Sequence, residues 1–272
     1  MPEPALRSGR VRFEGTFTSP RLDHAESVAV ADDGALWCGG ENGQIYRIEG
    51  DAIELIATTG GFNLGLSFSG DSLFVCDLVR PAVWKFDLHS KQLDVFATGT
   101  DDHRLLTPNF PLSLPDGSVL VSDSGRVREP RVGLLRFLPD GTGDVWHRQP
   151  INFANGLALS LDRRSVYIAE SWSFRILVAD VDENFDAVGP LRVFTEIPGY
   201  MPDGLTVGPN GDLFVGCYEP SAILRIAPDG TFSVFAHDPT AHLMCHPTGV
   251  AIDGDKLVVA NLGRWHLTEY PL

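Results

Sequence analysis

This 272-residue sequence lacks the marks of several protein classes, and each absence closes off a kind of function. No run of about 18 apolar residues occurs, so no segment reads as a membrane-spanning helix. The opening residues, MPEPALRSGRVRF, carry no apolar stretch of a secretory leader, so the expected location is cytoplasmic and no membrane partner is expected. Positive charge is scarce: 21 Lys and Arg stand against 36 Asp and Glu, a net charge of −15. Such a chain repels phosphate backbones, which argues against nucleic acid as a partner. The four cysteines, Cys38, Cys76, Cys217 and Cys245, form no CxxC pair and read as reduced thiols, three of them at strand ends. There is no GxSxG elbow or Ser-His-Asp order for a serine hydrolase, and no glycine-rich nucleotide loop.

What is present is turn chemistry and repetition. The 28 glycines and 19 prolines are dispersed, which marks a turn-rich chain. From Asn155 to Val181, NGLALSLDRRSVYIAESWSFRILVADV reads as three short strands, because apolar residues alternate and a polar turn follows every eight to ten residues. The unit recurs from Glu26, Leu64, Asn109, Asp203 and Thr248, at spacings of about 38 to 48 residues. Each unit adds a fourth, outer strand except the last, while Val11 to Thr18 is a lone strand left over at the start. Pairing that strand with the last unit closes a ring and removes two sheet edges. The expectation is an all-β, six-bladed β-propeller with four-stranded antiparallel blades, forming a single domain over residues 1–272. A β-sandwich leaves the extra strand unexplained.

In a propeller the first strand of each blade lines the central channel. The residues opening those strands are Glu26, Leu64, Asn109, Asn155, Asp203 and Thr248. Four of them carry carboxylate or amide oxygens and converge from four blades. Buried carboxylates and amides need partners, and a shared cation is one. Two carboxylates and two amides make a hard-oxygen set of charge −2, which suits one divalent metal, Ca²⁺ first, with Mg²⁺, Mn²⁺ or Zn²⁺ as substitutes. The competing view is that each residue merely caps a strand end.

These residues also carry a resemblance. Glu26, NFPLSLPDGSVLVSD, NGLALSLDRRSVYIAES, PDGLTVGPNGDLFVG and HPTGVAIDGDKLVVAN resemble the senescence marker protein / gluconolactonase / luciferin-regenerating family over nearly the whole chain. The resemblance extends more distantly to diisopropyl fluorophosphatase and paraoxonase. It implies metal binding by Glu26, Asn155 and Asp203, with Asn109 at the metal or the substrate. It also implies hydrolysis of a lactone or related ester, a small-molecule substrate. Asp203 would then be catalytic, as a base toward water or as a nucleophile. Two positions depart from the family pattern: Ser27-Val28 follows Glu26 where Gly-Pro is common, and Phe110 follows Asn109 where Asp is frequent. Substrate contacts are expected from Asn109, Phe110, Trp172, Tyr218, Trp265 and His246, the aromatic residues forming walls. The loops after the second strands also bring Asn42, Asp77, Asp123, Glu170, Glu219, Asn261, Arg264 and His266 toward the same face. The loop SGRVREPRVG adds Arg126, Arg128 and Arg131 as a solvated edge, a lid or an anion clamp. Two alternatives use the same scaffold: a specialised isomerase, cyclase or metal-free condensation enzyme, and a non-catalytic binding propeller. Sequence leaves the oligomeric state open.

Overall fold

The computed structural model describes residues 9–12 and 22–272. Its strands form six four-stranded antiparallel sheets, the six blades expected from the repeat. Blade four, which contains the stretch from Asn155 to Val181, shows how each is made. Its strands Ala154–Leu159, Ser165–Glu170, Arg175–Val181 and Ala187–Glu196 follow chain order from the axis outward. Alternation sends neighbouring side chains to opposite faces, and here both faces are buried. Leu157, Val166 and Ile168 pack with Leu120 and Leu134 of blade three, while Ala158, Ala169 and Ile176 pack with Leu205 and Val215 of blade five. The small residues that alternate with leucine in the sequence therefore face a second core rather than solvent. Only the outer strand, with Val188 and Val193 half-exposed, turns toward water.

The turn between the first two strands of a blade follows its residue types. Asp116 Oδ1 accepts a hydrogen bond from the Ser118 amide at 3.0 Å, and Gly117 takes the left-handed conformation (φ +84°) that a side chain resists. Blade four has Asp-Arg-Arg at the corresponding turn, and Arg163 adopts φ +60°. There the Ser160 hydroxyl and the Asp162 carboxylate both accept the Arg164 amide, at 3.2 and 3.1 Å.

The sixth blade contributes Pro247–Asp253, Lys256–Asn261 and Leu267–Pro271, and its fourth strand is Arg10–Arg12 from the start of the chain. Val11 stands opposite Thr268 in that pairing. The remainder of the expected strand, residues 13–18, lies outside the described residues. Blades six and one also join near the axis, where the Glu26 carbonyl accepts the Gly249 amide at 2.8 Å and the Thr248 hydroxyl.

All four cysteines are free, with Cys38, Cys76 and Cys217 buried. Among the described residues no helix is long and apolar enough to cross a membrane, and the only helical element is the 3₁₀ turn Ser171–Ser173.

The glycines that follow the ring positions set how closely the blades approach. A Cβ on Gly156 would lie 2.6 Å from the Asp203 carbonyl oxygen, and one on Gly204 would lie 2.6 Å from that of Thr248. Gly65 faces Asn109 in the same way, at 2.7 Å. These contacts are with backbone, which cannot swing aside. Gly204→Ala is expected to destabilise the protein by ~2 kcal/mol, lowering the melting temperature by about 5 °C in a thermal melt, because a methyl group forced into a packed backbone contact strains both strands.

Candidate functional site

Glu26, Leu64, Asn109, Asn155 and Asp203, five of the six ring positions, line one cavity of about 460 Å³. The sixth, Thr248, spends its hydroxyl on the Glu26 carbonyl and thereby helps place Glu26. Glu26, Asn109, Asn155 and Asp203 are all buried. Among the described residues no ion pair reaches Glu26 or Asp203, and the Glu26 carboxylate and Asn109 amide have no hydrogen-bond partner. Asn155 is oriented by its neighbours. Its Nδ2 donates to Ser171 Oγ at 3.2 Å, and that hydroxyl donates to the Pro202 carbonyl at 2.7 Å. A hydrogen bond from Asn155 also reaches the Asp203 carboxylate.

Two buried carboxyls at one cavity hold their protons more tightly than usual. Burial pushes the Asp203 carboxyl up to about 7, against the lowering effect of the Asn155 hydrogen bond. Burial, with the nearby Asp203 charge adding to it, raises Glu26 well above the usual carboxylate range. The thiols of Cys76 and Cys217 are also raised, chiefly by burial, and they do not line the cavity. No group of three or more His, Cys, Asp or Glu capable of holding a metal occurs among the described residues. The donor set facing the cavity is therefore two carboxylates and two amides. Its unoffset charge and unpartnered oxygens fit a hard divalent cation rather than a thiolate-preferring one.

The other expected residues divide. Trp172, carried on the 3₁₀ turn, and Tyr218 line the cavity. His246 stands behind Tyr218: the rings stack at 4.3 Å, and His246 Nδ1 bonds the Tyr218 carbonyl at 2.9 Å. Trp265 packs against His24 at 4.8 Å, and the partly buried Phe110 packs against the core between blades three and four, its ring edge close to the bare Gly65 of blade two. None of these last three lines the cavity.

The carboxylates that end the second strands brace loops instead. Asp77 Oδ1 accepts the amides of Phe62, Val79 and Arg80, Asp123 accepts those of Leu106, Thr107 and Gly125, and Glu170 accepts that of Asn152. Each ties the loop leading into its blade to the blade's own second strand. Asn261 does the same for the Cys245 amide, at 3.3 Å. At the rim, Asn42 bonds Asp23, Arg264 bonds the Ala241 carbonyl and His266 bonds that of Leu243. The three loop arginines serve three purposes. Arg126 pairs with Glu129, Arg128 lies over the Trp172 ring at 4.8 Å, and Arg131 sits between Asp123 and His103.

Sequence reasoning missed several wall residues: Phe62, Thr107, Phe153 and Met201. Each stands two residues before a ring position, and strand residues two apart share a face. That register would have found them.

With this geometry in view, a sequence profile of the SMP-30/Gluconolactonase/LRE-like region matches residues 80–259. The chain belongs to this family. Regucalcin of Xenopus laevis is 28% identical over 120 residues, covering 41% of this chain and 40% of that protein's own length. A gluconolactonase structure from Xanthomonas campestris superposes with a TM-score of 0.78 at 18% identity, covering 98% of this chain and 99% of that one. A structure of the calcium-binding protein regucalcin from Agrobacterium tumefaciens gives 0.76 at 16% identity, covering 97% and 93%. At those identities the structural likeness speaks to the fold alone.

The raised carboxyls make the metal-free protein sensitive to pH. A carboxyl whose folded-state pKa exceeds its unfolded value destabilises the fold as pH rises between the two. For Asp203 the penalty is absent below about pH 4, grows up to about pH 7 and is complete above it. Metal-stripped protein is expected to melt ~5–10 °C lower at pH 7.5 than at pH 4.5, and Asp203→Asn is expected to flatten that dependence. Melts followed by circular dichroism on both proteins would measure it, and an unchanged slope in the variant would remove Asp203 as the source.

Proposed function

We propose that the protein is a divalent-metal-dependent hydrolase of a lactone or related ester. The observation that carries this is the set of four oxygen-bearing side chains from four blades, at one cavity, with two carboxylates that no cation offsets. Membership of the gluconolactonase-like family supports lactone chemistry and a small-molecule substrate. Glu26, Asn109, Asn155 and Asp203 would hold the ion, and hard oxygen donors favour Ca²⁺ over the alternatives. A divalent cation bound there supplies Lewis acidity to a carbonyl oxygen.

The chain's own residues account for the remaining steps. Asn155, fixed by Ser171, steadies the Asp203 carboxylate. Asp203 takes a proton from the attacking water while the water oxygen adds to the carbonyl carbon. The ring C–O bond then breaks, and the departing alkoxide recovers the proton from Asp203, leaving a hydroxy acid. Direct attack by Asp203 on the carbonyl carbon is the alternative route, passing through an acyl-enzyme. The surrounding aromatic and aliphatic walls limit the water that reaches the site. Phe110, which departs from the family pattern, packs against the core between blades and is not among the residues lining the cavity.

Purified protein is expected to carry about one divalent ion per chain by elemental analysis, and Glu26→Gln and Asp203→Asn to lose or weaken it. Lactone hydrolysis is expected to vanish in EDTA and to return with Ca²⁺ or Mn²⁺. Asp203→Asn should lower kcat/KM by ~10²–10⁴, the range for removing a positioned base. Full activity after complete metal removal would overturn the proposal.

A further inference from the structure

The walls of the cavity bear on what kind of lactone or ester the site accepts. Phe62, Leu78, Phe153, Trp172, Met201 and Leu262 form most of them, and among the described residues no Lys, Arg or His lines the cavity. Arg128, beside the mouth, lies over the Trp172 ring and does not line the cavity. The polar lining residues beyond the four oxygen ligands are Thr107, Ser171 and Tyr218. Thr107 Oγ1 donates to the Gly125 carbonyl at 2.8 Å, and Ser171 Oγ donates to the Pro202 carbonyl while accepting from Asn155. Both hydroxyl protons are thus committed to backbone. Among the described residues, that leaves the phenol of Tyr218 and the Asn109 amide of the ring as the free donors facing the cavity.

A polyhydroxylated sugar lactone would bring several hydroxyl groups into this space. The walls offer those hydroxyls few partners beyond Tyr218 and the ring residues, and a buried polar group without a hydrogen bond is strongly disfavoured. An alkyl or aryl substituent gains by the same transfer. We infer that the site selects a lactone or ester bearing an apolar substituent, which lies against Met201, Leu262 and the aromatic walls, in preference to a sugar lactone. This inference rests on the hydrolase proposed above and names its substrate class.

The test compares six-membered lactones that differ in substituent. The metal-loaded protein would be assayed on δ-hexalactone, δ-octalactone, δ-decalactone and glucono-δ-lactone. The expected result is a rise in kcat/KM of roughly fourfold per added methylene, until the cavity is filled. Glucono-δ-lactone should fall at least about a hundredfold below δ-decalactone, the order expected when several hydroxyls go unpaired. Met201→Gln and Leu262→Asn should each reduce the decalactone-to-hexalactone ratio by about tenfold. Preference for the sugar lactone, or no dependence on chain length, would overturn the inference and leave the hydrolase standing. If neither these lactones nor alkyl and aryl esters such as phenyl acetate are hydrolysed, the hydrolase proposal falls and calorimetry decides the inference. In that case the matching alkyl δ-lactams, which resist hydrolysis, should bind more tightly as the chain lengthens, and binding that is absent or independent of length would overturn it.

Discussion

Near the axis of this propeller, backbone meets backbone. At Gly65, Gly156 and Gly204 a methyl group would collide with a carbonyl of the neighbouring blade's first strand, and that closeness brings the preceding residues together. Leu64, Asn155 and Asp203 each immediately precede one of these glycines, and they share a cavity with Glu26 and Asn109 because the inner strands are in near contact. The same motif that makes the ring tight therefore makes the site. A blade set farther from the axis would leave its carboxylate in water, with an ordinary pKa and no shared task.

The cost of this arrangement falls on two residues. Glu26 and Asp203 are buried with no opposing cation, and both carboxyls are raised. Natural folds tolerate such a placement where a functional group needs it. Elsewhere the buried carboxylates at the ends of second strands are turned to loop backbone. Asp77, Asp123 and Glu170 collect backbone amides, and Asp123 and Glu170 have arginines beside them as well. The contrast separates carboxylates that hold loops from carboxylates that face the cavity.

The apolar walls complete the picture. The hydroxyl protons of Ser171 and Thr107 are committed to backbone carbonyls, so neither is available to donate to a ligand. The cavity is thus lined by two carboxylates, two amides and, around them, largely apolar side chains. His246, Arg128 and Trp265 sit just outside this boundary and support the rim through stacking.

Much of this was legible in the sequence. Alternation, Asp-Gly turns and a leftover first strand sufficed for six four-stranded blades and for closure of the ring, because strand period and edge avoidance are local or combinatorial constraints. Repeat register also identified Glu26, Asn109, Asn155 and Asp203, since equivalent positions in repeated blades must converge. The direction in which a side chain points at a strand end was not legible. Phe110 turns into the gap left by Gly65, His246 lies behind Tyr218, and Asp123 folds back onto its own loop. Each outcome depends on a neighbour in another strand or another blade. Alternation and repeat register determined which residues reach the axis, and packing between blades alone decided which of their side chains face the cavity.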